Sequence, residues 1–143
     1  MPKIIIHAPT GAFDAAARRG VAGELTDLAL DCEALPKSPF MASMVWTFFN
    51  DYAGGAVFMG DRPARVGIVS VQILAIRGGL DGDAKTRLIK GATAILGRHL
   101  GLTERPPVHI VLHEVAATDW GMFGENPDLT AMRASPADAP AMA

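Results

Sequence analysis

The sequence predicts an α/β domain in which a strand–helix–strand unit occurs twice and builds one four-stranded sheet with two helices on one face. Two observations carry this. Short β-branched apolar runs alternate with stretches of helical spacing, and the same order of punctuation returns 67 residues later. In the first copy, residues 3–7 (KIIIH) read as a strand and 8–12 as a turn. From Asp14, a candidate helix N-cap, Ala17, Val21, Leu25 and Leu28 recur at spacings of three or four. Pro36 and Pro39 follow that helix, and 41–49 (MASMVWTFF) read as the second strand. Residues 51–55 then turn into a short apolar piece, Val57–Met59.

The second copy keeps this order. Residues 67–76 (GIVSVQILAI) form a strand and Arg77-Gly78-Gly79 a turn. Asp81 caps a helix whose face carries Ala84, Leu88, Ala92, Ile95 and His99, with Gly101 as its stop. Pro106-Pro107 precede a strand over 108–115 (VHIVLHEV) and then the segment 118–123. The caps Asp14 and Asp81 are 67 apart, and so are Pro39 and Pro106; the closing pairs Gly60-Asp61 and Gly124-Glu125 are 64 apart. The copies therefore span about 2–61 and 67–125, joined by the linker 61–65, within one domain over 1–125. Residues 126–143 lose periodicity and read as an arm or a disordered tail.

Each strand–helix–strand unit requires a right-handed crossover and parallel pairing. Two helices cover one sheet face. The strands at 67–76 and 108–112 look apolar with little alternation, so the other face is expected to be covered by further copies of the chain.

Composition narrows the function. The chain has 143 residues, is 50% hydrophobic and carries a net charge of −2. There is no basic excess to bind nucleic acid and no run of roughly 20 apolar residues to span a membrane. After Lys3 only three strongly apolar residues follow in succession, too few for a signal peptide, so a cytoplasmic protein is expected. The single cysteine, Cys32, forms no disulfide framework and reads as a buried thiol rather than a nucleophile. No Cys/His cluster has metal-ligand spacing, and neither metal nor cofactor is expected.

A duplicated unit that begins Met-Pro and an apolar strand resembles the tautomerase superfamily. Residues 108–115 with Trp120-Gly121-Met122-Phe123-Gly124-Glu125 are similar to the end of a 4-oxalocrotonate tautomerase subunit, which implies that the strand runs into a short β-hairpin. Residues 50–60 (NDYAGGAVFMG) resemble the matching part of fused members, particularly the cis-3-chloroacrylic acid dehalogenase group. The likeness covers roughly 2–125. It implies the fold shared with macrophage migration inhibitory factor, and a homotrimer of fused subunits with the sheets facing inward. It implies a small carboxylic-acid substrate.

It also implies that Pro2, freed by removal of Met1, is a catalytic amine. An α-amino group titrates near about pH 8. An apolar pocket and a nearby cation disfavour the ammonium form, leaving a neutral amine able to move a proton α to a carbonyl. The ring fixes φ and so makes the base rigid. The resemblance places Arg77 as the substrate-carboxylate anchor, against the alternative of a solvated loop arginine. The second arginine of the fused dehalogenases is here Leu80, and their late-helix histidine is Ala29 or a neighbour. His109 stands where the 4-oxalocrotonate enzyme has a polarising arginine; it either donates to substrate or faces solvent. Glu114 matches a water-activating carboxylate of the dehalogenases but is equally usual in plain tautomerases. Trp120 and Phe123 either wall the pocket or pack the trimer. Asp51 and Tyr52 are candidates for the pocket rim, and His7 reads as structural. Val69 opens the second copy where Pro2 opens the first.

The activity expected is cofactor-independent keto–enol isomerisation of a small 2-oxo or 2-hydroxy-dienoate acid. Two alternatives stand beside it. One is hydration, dehalogenation or decarboxylation of a three-carbon acid with Pro2 protonated; the other is a non-catalytic trimeric binding protein.

Overall fold

A computed structural model describes residues 2–64, 68–102 and 104–142. Met1 with its removal, Arg65 of the expected linker and Gly67 of the strand expected over 67–76 lie outside the described residues. Along the chain run β1 (Lys3–Pro9), α1 (Ala15–Cys32), α2 (Pro39–Ser43), β2 (Trp46–Tyr52), β3 (Phe58–Met59), β4 (Arg62–Pro63), β5 (Val69–Ile76), α3 (Gly82–His99), β6 (Val108–Val115) and α4 (Leu129–Arg133). The main sheet has the order β2-β1-β5-β6. The pairs β1/β2 and β5/β6 are parallel, while β1 and β5 meet antiparallel with Lys3 opposite Leu74. The two units are thus related by a pseudo-twofold at the β1/β5 seam. One consequence matters throughout: the head of β1 and the head of β5 lie at opposite ends of the sheet.

Both caps form as the spacing requires. The Asp14 carboxylate accepts from the Ala17 N–H and the Asp81 carboxylate from the Ala84 N–H, each at 2.7 Å. The helices then bury one stripe each, Val21, Leu25 and Ala29 from α1 and Ala84, Leu88, Ala92 and Leu96 from α3, against alternate sheet residues Ile4, Ile6, Val69, Val71 and Ile73. Gly20 and Gly91 let the helices approach. A Cβ on Gly91 would stand 2.7 Å from Leu28 Cδ2, and one on Gly20 only 2.5 Å from His99 Cε1. His99 and Arg98 in turn meet the Glu24 carboxylate across the crossing, and those bonds hold that carboxyl below its ordinary range, His99 first.

The segment expected as strand 41–49 divides. Ser38 accepts from Met41 N–H at 3.1 Å and Pro39 opens the helix, so Met41–Ser43 belong to α2 and the strand starts at Trp46. The strand also continues through Asn50 into Asp51 and Tyr52, where a turn was expected, because these residues pair with His7, Ala8 and Pro9. The apolar reading of the open face needs correction as well. Ser70, Gln72 and His109 alternate out of β5 and β6, together with Lys3 and His7 from β1. Between them Trp46, Phe48 and Val111 are 52%, 42% and 50% exposed.

Helix α1 ends on a left-handed residue. Leu35 N–H bonds to Leu30 O at 2.9 Å, and Ala34 takes φ 54°, the conformation a glycine fills without strain at a helix C′ position. Ala34 is exposed, so Ala34→Gly is expected to raise stability by about 1 kcal/mol, read as a higher urea midpoint at unchanged m. An unchanged or lower midpoint would contradict this account of the helix end.

From Asn126 onward the chain returns across the domain. α4 is capped by Asp128, Leu129 and Met132 pack on the core, and Phe40 N–H bonds to Ala139 O at 3.0 Å.

Candidate active site

Pro2 is buried at the head of β1. It opens onto a cavity of about 390 Å³ also lined by Lys3, Met44, Trp46, Leu74, Val115 and the segment Asp119–Phe123. The sheet register explains the gathering. Lys3 pairs with Trp46 on one side and Leu74 on the other, and β6 ends at Val115 opposite Ile76. The chain then makes a short 3₁₀ turn, Ala117–Asp119, and a tight hairpin. Met122 and Glu125 exchange backbone bonds of 2.8 and 2.9 Å, with Phe123 at φ 53° and Gly124 at φ 87°, the paired left-handed residues of a two-residue loop. Asn126 Nδ2 donates to the carbonyls of Trp120, Ala117 and Thr118 at 2.8, 3.1 and 3.3 Å. That side chain fixes the loop which carries Trp120 into the wall of the cavity that Pro2 lines. Phe123 is 70% exposed at the rim.

The candidates from sequence divide between the two ends of the sheet. Pro2, Trp120 and Phe123 share the cavity. Arg77 lies at the same end, immediately after β5, with its N–H on Val115 O at 2.8 Å. Its side chain is exposed and does not line the cavity. Glu114 also lies at this end but on the helix-facing side of β6, because strand residues alternate and Val115 takes the cavity side. There Glu114 Oε2 accepts from Lys85 Nζ at 2.7 Å. This bond, helped by the charges of Lys85 and Arg77 and the Gly78 N–H, holds the Glu114 carboxyl below its ordinary range.

His109, Asp51 and Tyr52 stand at the other end. His109 is six residues from Val115, roughly 20 Å along an extended strand. Asp51 is bonded to Arg18 Nη2 at 2.6 Å and Tyr52 OH to His7 Nδ1 at 2.7 Å. Within one protomer these groups surround the head of β5, where buried Val69 occupies the position Pro2 has in the first copy. Cys32 is buried and its thiol is pushed up by that burial, which suits packing rather than nucleophilic attack.

Sequence reasoning missed Lys3, Asp119, Met44 and Trp46 as cavity residues. Lys3 carried a signal, since it follows Pro2 directly; its ammonium also lies 5.1 Å from the Phe48 ring centre. Among the described residues no group of three His, Cys, Asp or Glu side chains could hold a metal ion. No helix among them is long and apolar enough to cross a membrane.

Residues 70–129, the second copy with its hairpin, match the family described as tautomerase enzyme. The same architecture is found in N1, a member of the cis-3-chloroacrylic acid dehalogenase family. It is 28% identical, with 87% of this chain and 82% of that one covered at a TM-score of 0.74. The second copy thus carries the tautomerase match, and the chain as a whole is similar to a member of the cis-3-chloroacrylic acid dehalogenase family. Two further likenesses show the fold alone. The Q0 fused 4-OT, a wild-type symmetric trimer, is 20% identical over 90% of this chain and 97% of its own, with a TM-score of 0.72. Pt0534, in a structure inactivated by 2-oxo-3-pentynoate, is 18% identical over 91% and 98%, with a TM-score of 0.73. Among proteins of curated function, none matches the chain in sequence.

Proposed function

We propose that this chain is a cofactor-independent keto–enol isomerase of the tautomerase superfamily, acting on a small 2-oxo or 2-hydroxy-dienoate acid with the Pro2 amine as base and acid. The observation that supports it is the burial of Pro2 against a cavity walled by Met44, Trp46, Leu74, Val115, Trp120 and Met122. Apolar walls make a bare ammonium costly, and Lys3 beside Pro2 adds a cation that opposes a second positive charge. The neutral amine takes a proton from the carbon next to the carbonyl; the C–H electron pair becomes the enolate, and the same proton returns to another carbon. The substrate carboxylate is drawn by Lys3 within the cavity and by Arg77 at its edge. Leu80, 4% exposed where the fused dehalogenases have a second arginine, and Glu114, bound to Lys85 on the far side of its strand, weigh against water activation. A homotrimer closing on the open sheet face would place His109, Asp51 or Tyr52 of one subunit near the cavity of another.

The reading is tested by ketonisation of phenylenolpyruvate by the mature protein, with an intact mass to establish removal of Met1. No turnover, or a retained Met1, would sink it. The N1 likeness favours one second reading, attack on a haloacrylate, and halide release would select that instead. Arg77→Ala is expected to raise KM about tenfold or more, as loss of a charge-assisted hydrogen bond implies, with kcat changed less. An unaltered KM would remove Arg77 from substrate binding.

A further inference from the structure

One buried carboxyl plays no part in the chemistry above. Glu33 follows the last residue of α1 and is 0% exposed. It sits under the turn after β5: a Cβ placed on Gly79 would stand 3.1 Å from Glu33 Oε1 and 3.0 Å from Ile76 O. The C-terminal arm holds this corner together. Arg133 Nε and Nη2 donate to Glu33 O at 3.1 and 3.0 Å, and Nη2 also to Gly79 O at 3.2 Å. Pro2 reaches the same corner from the sheet. Lys3 is opposite Leu74, so Pro2 lies one step on, opposite Ala75 and adjacent to Ile76. Alternation puts Pro2 on the same side as Ile4, the side covered by the helices.

We propose that Glu33 is the buried counter-ion of the Pro2 amine, orienting its N–H and holding its charged form. This deepens the isomerase reading and rests on it for the role of the amine. The secondary amine of a freed Pro2 has one N–H and one lone pair. Directed at Glu33 beneath the sheet, the N–H leaves the lone pair facing the cavity. When the amine takes the substrate proton, the new N–H returns it from the cavity side while the carboxylate balances the ammonium. Glu33 gains and loses no proton in that cycle; it acts through Pro2 as a positioning residue.

The charges around the pair agree with this. Burial raises the Glu33 carboxyl above its ordinary range, against the pull of the Arg133 charge, so a cation beside it is what keeps it a carboxylate. With Met1 removed, the amine is that of Pro2 itself. The other charged groups near are Arg77 of the turn, Asp31 on α1, and Lys3 and Asp119 in the cavity, all unchanged by substitution at 33.

Glu33→Gln keeps shape and an acceptor oxygen but removes the charge. The Pro2 amine, followed by ¹⁵N shift without any substrate, is expected to titrate one unit or more lower than in the wild type. The acid limb of kcat/KM moves down by the same amount, with the plateau at higher pH within several-fold. Glu33→Asp is expected to restore most of the shift. An unmoved ¹⁵N titration in a folded variant would overturn the proposal, even in a protein that proves inactive toward phenylenolpyruvate. Should Glu33→Gln not fold, the wild type decides. A ¹³C-labelled Glu33 carboxyl must titrate in the same steps as Pro2, and independent titration of the two would equally overturn it.

Discussion

Pro2→Ala is expected to lower kcat/KM for phenylenolpyruvate by about a hundredfold or more, the range removed when a positioned general base is lost. The substitution leaves an amine, so the size of the loss measures position and not mere presence. Proline fixes its own φ, and Pro2 lines the cavity together with Leu74 and Val115. Alanine leaves the primary amine free to rotate, with three protons to dispose when charged, and opens the apolar wall to water. The fold is not expected to suffer, since residue 2 precedes β1 and its ladder begins at Lys3. A variant within threefold of the wild type would show that the amine at this position does not carry the proton. A melting temperature lowered by more than a few degrees would assign the loss to structure.

The largest expected loss of stability is at the seam between the repeats. Ile73 lies in β5 between Ile4 and Leu112 and is 0% exposed beneath both helices. Ile73→Ala removes three carbons from a place with strands on both flanks, where little can collapse inward. The cost is expected to be about 2–5 kcal/mol, enough to lower the melting temperature by roughly 10 °C in a chain of this size. Gln72, the next residue, points to the open face and is exposed. Gln72→Ala is expected to stay within about 0.5 kcal/mol. Equal effects at the two positions would mean that the register between the repeats is wrong.

Several parts of the site were legible before any coordinates. Asp14 and Asp81 announced the helix starts because capping is local: a carboxylate meets an N–H three residues ahead. Residues 108–115 were legible because a β-branched run bounded by Pro106-Pro107 has one ordinary reading. Trp120 and Phe123 were found through the resemblance of residues 120–125 to the end of a tautomerase subunit. The start of β2 was not legible, because Met41–Ser43 are as apolar as the strand that follows and only Ser38-Pro39 mark them as helix. Lys3, Asp119 and Glu33 were missed because their neighbours in space come from elsewhere in the chain.

By itself the sequence determined the two repeats, their caps and turns, and an N-terminal proline at the head of a strand, for these depend on patterns within some 20 residues. The antiparallel seam between the repeats belonged to tertiary structure alone. Pairing Lys3 with Leu74 sends the heads of β1 and β5 to opposite ends, so Pro2, Trp120 and Phe123 share one cavity while His109, Asp51 and Tyr52 stand at the far edge. The neighbours of Pro2 are chosen there too: Lys3 beside it in the cavity wall, with Arg77 brought to the same end of the sheet. Which charges face an amine depends on packing between segments far apart in the chain, and no local pattern encodes that.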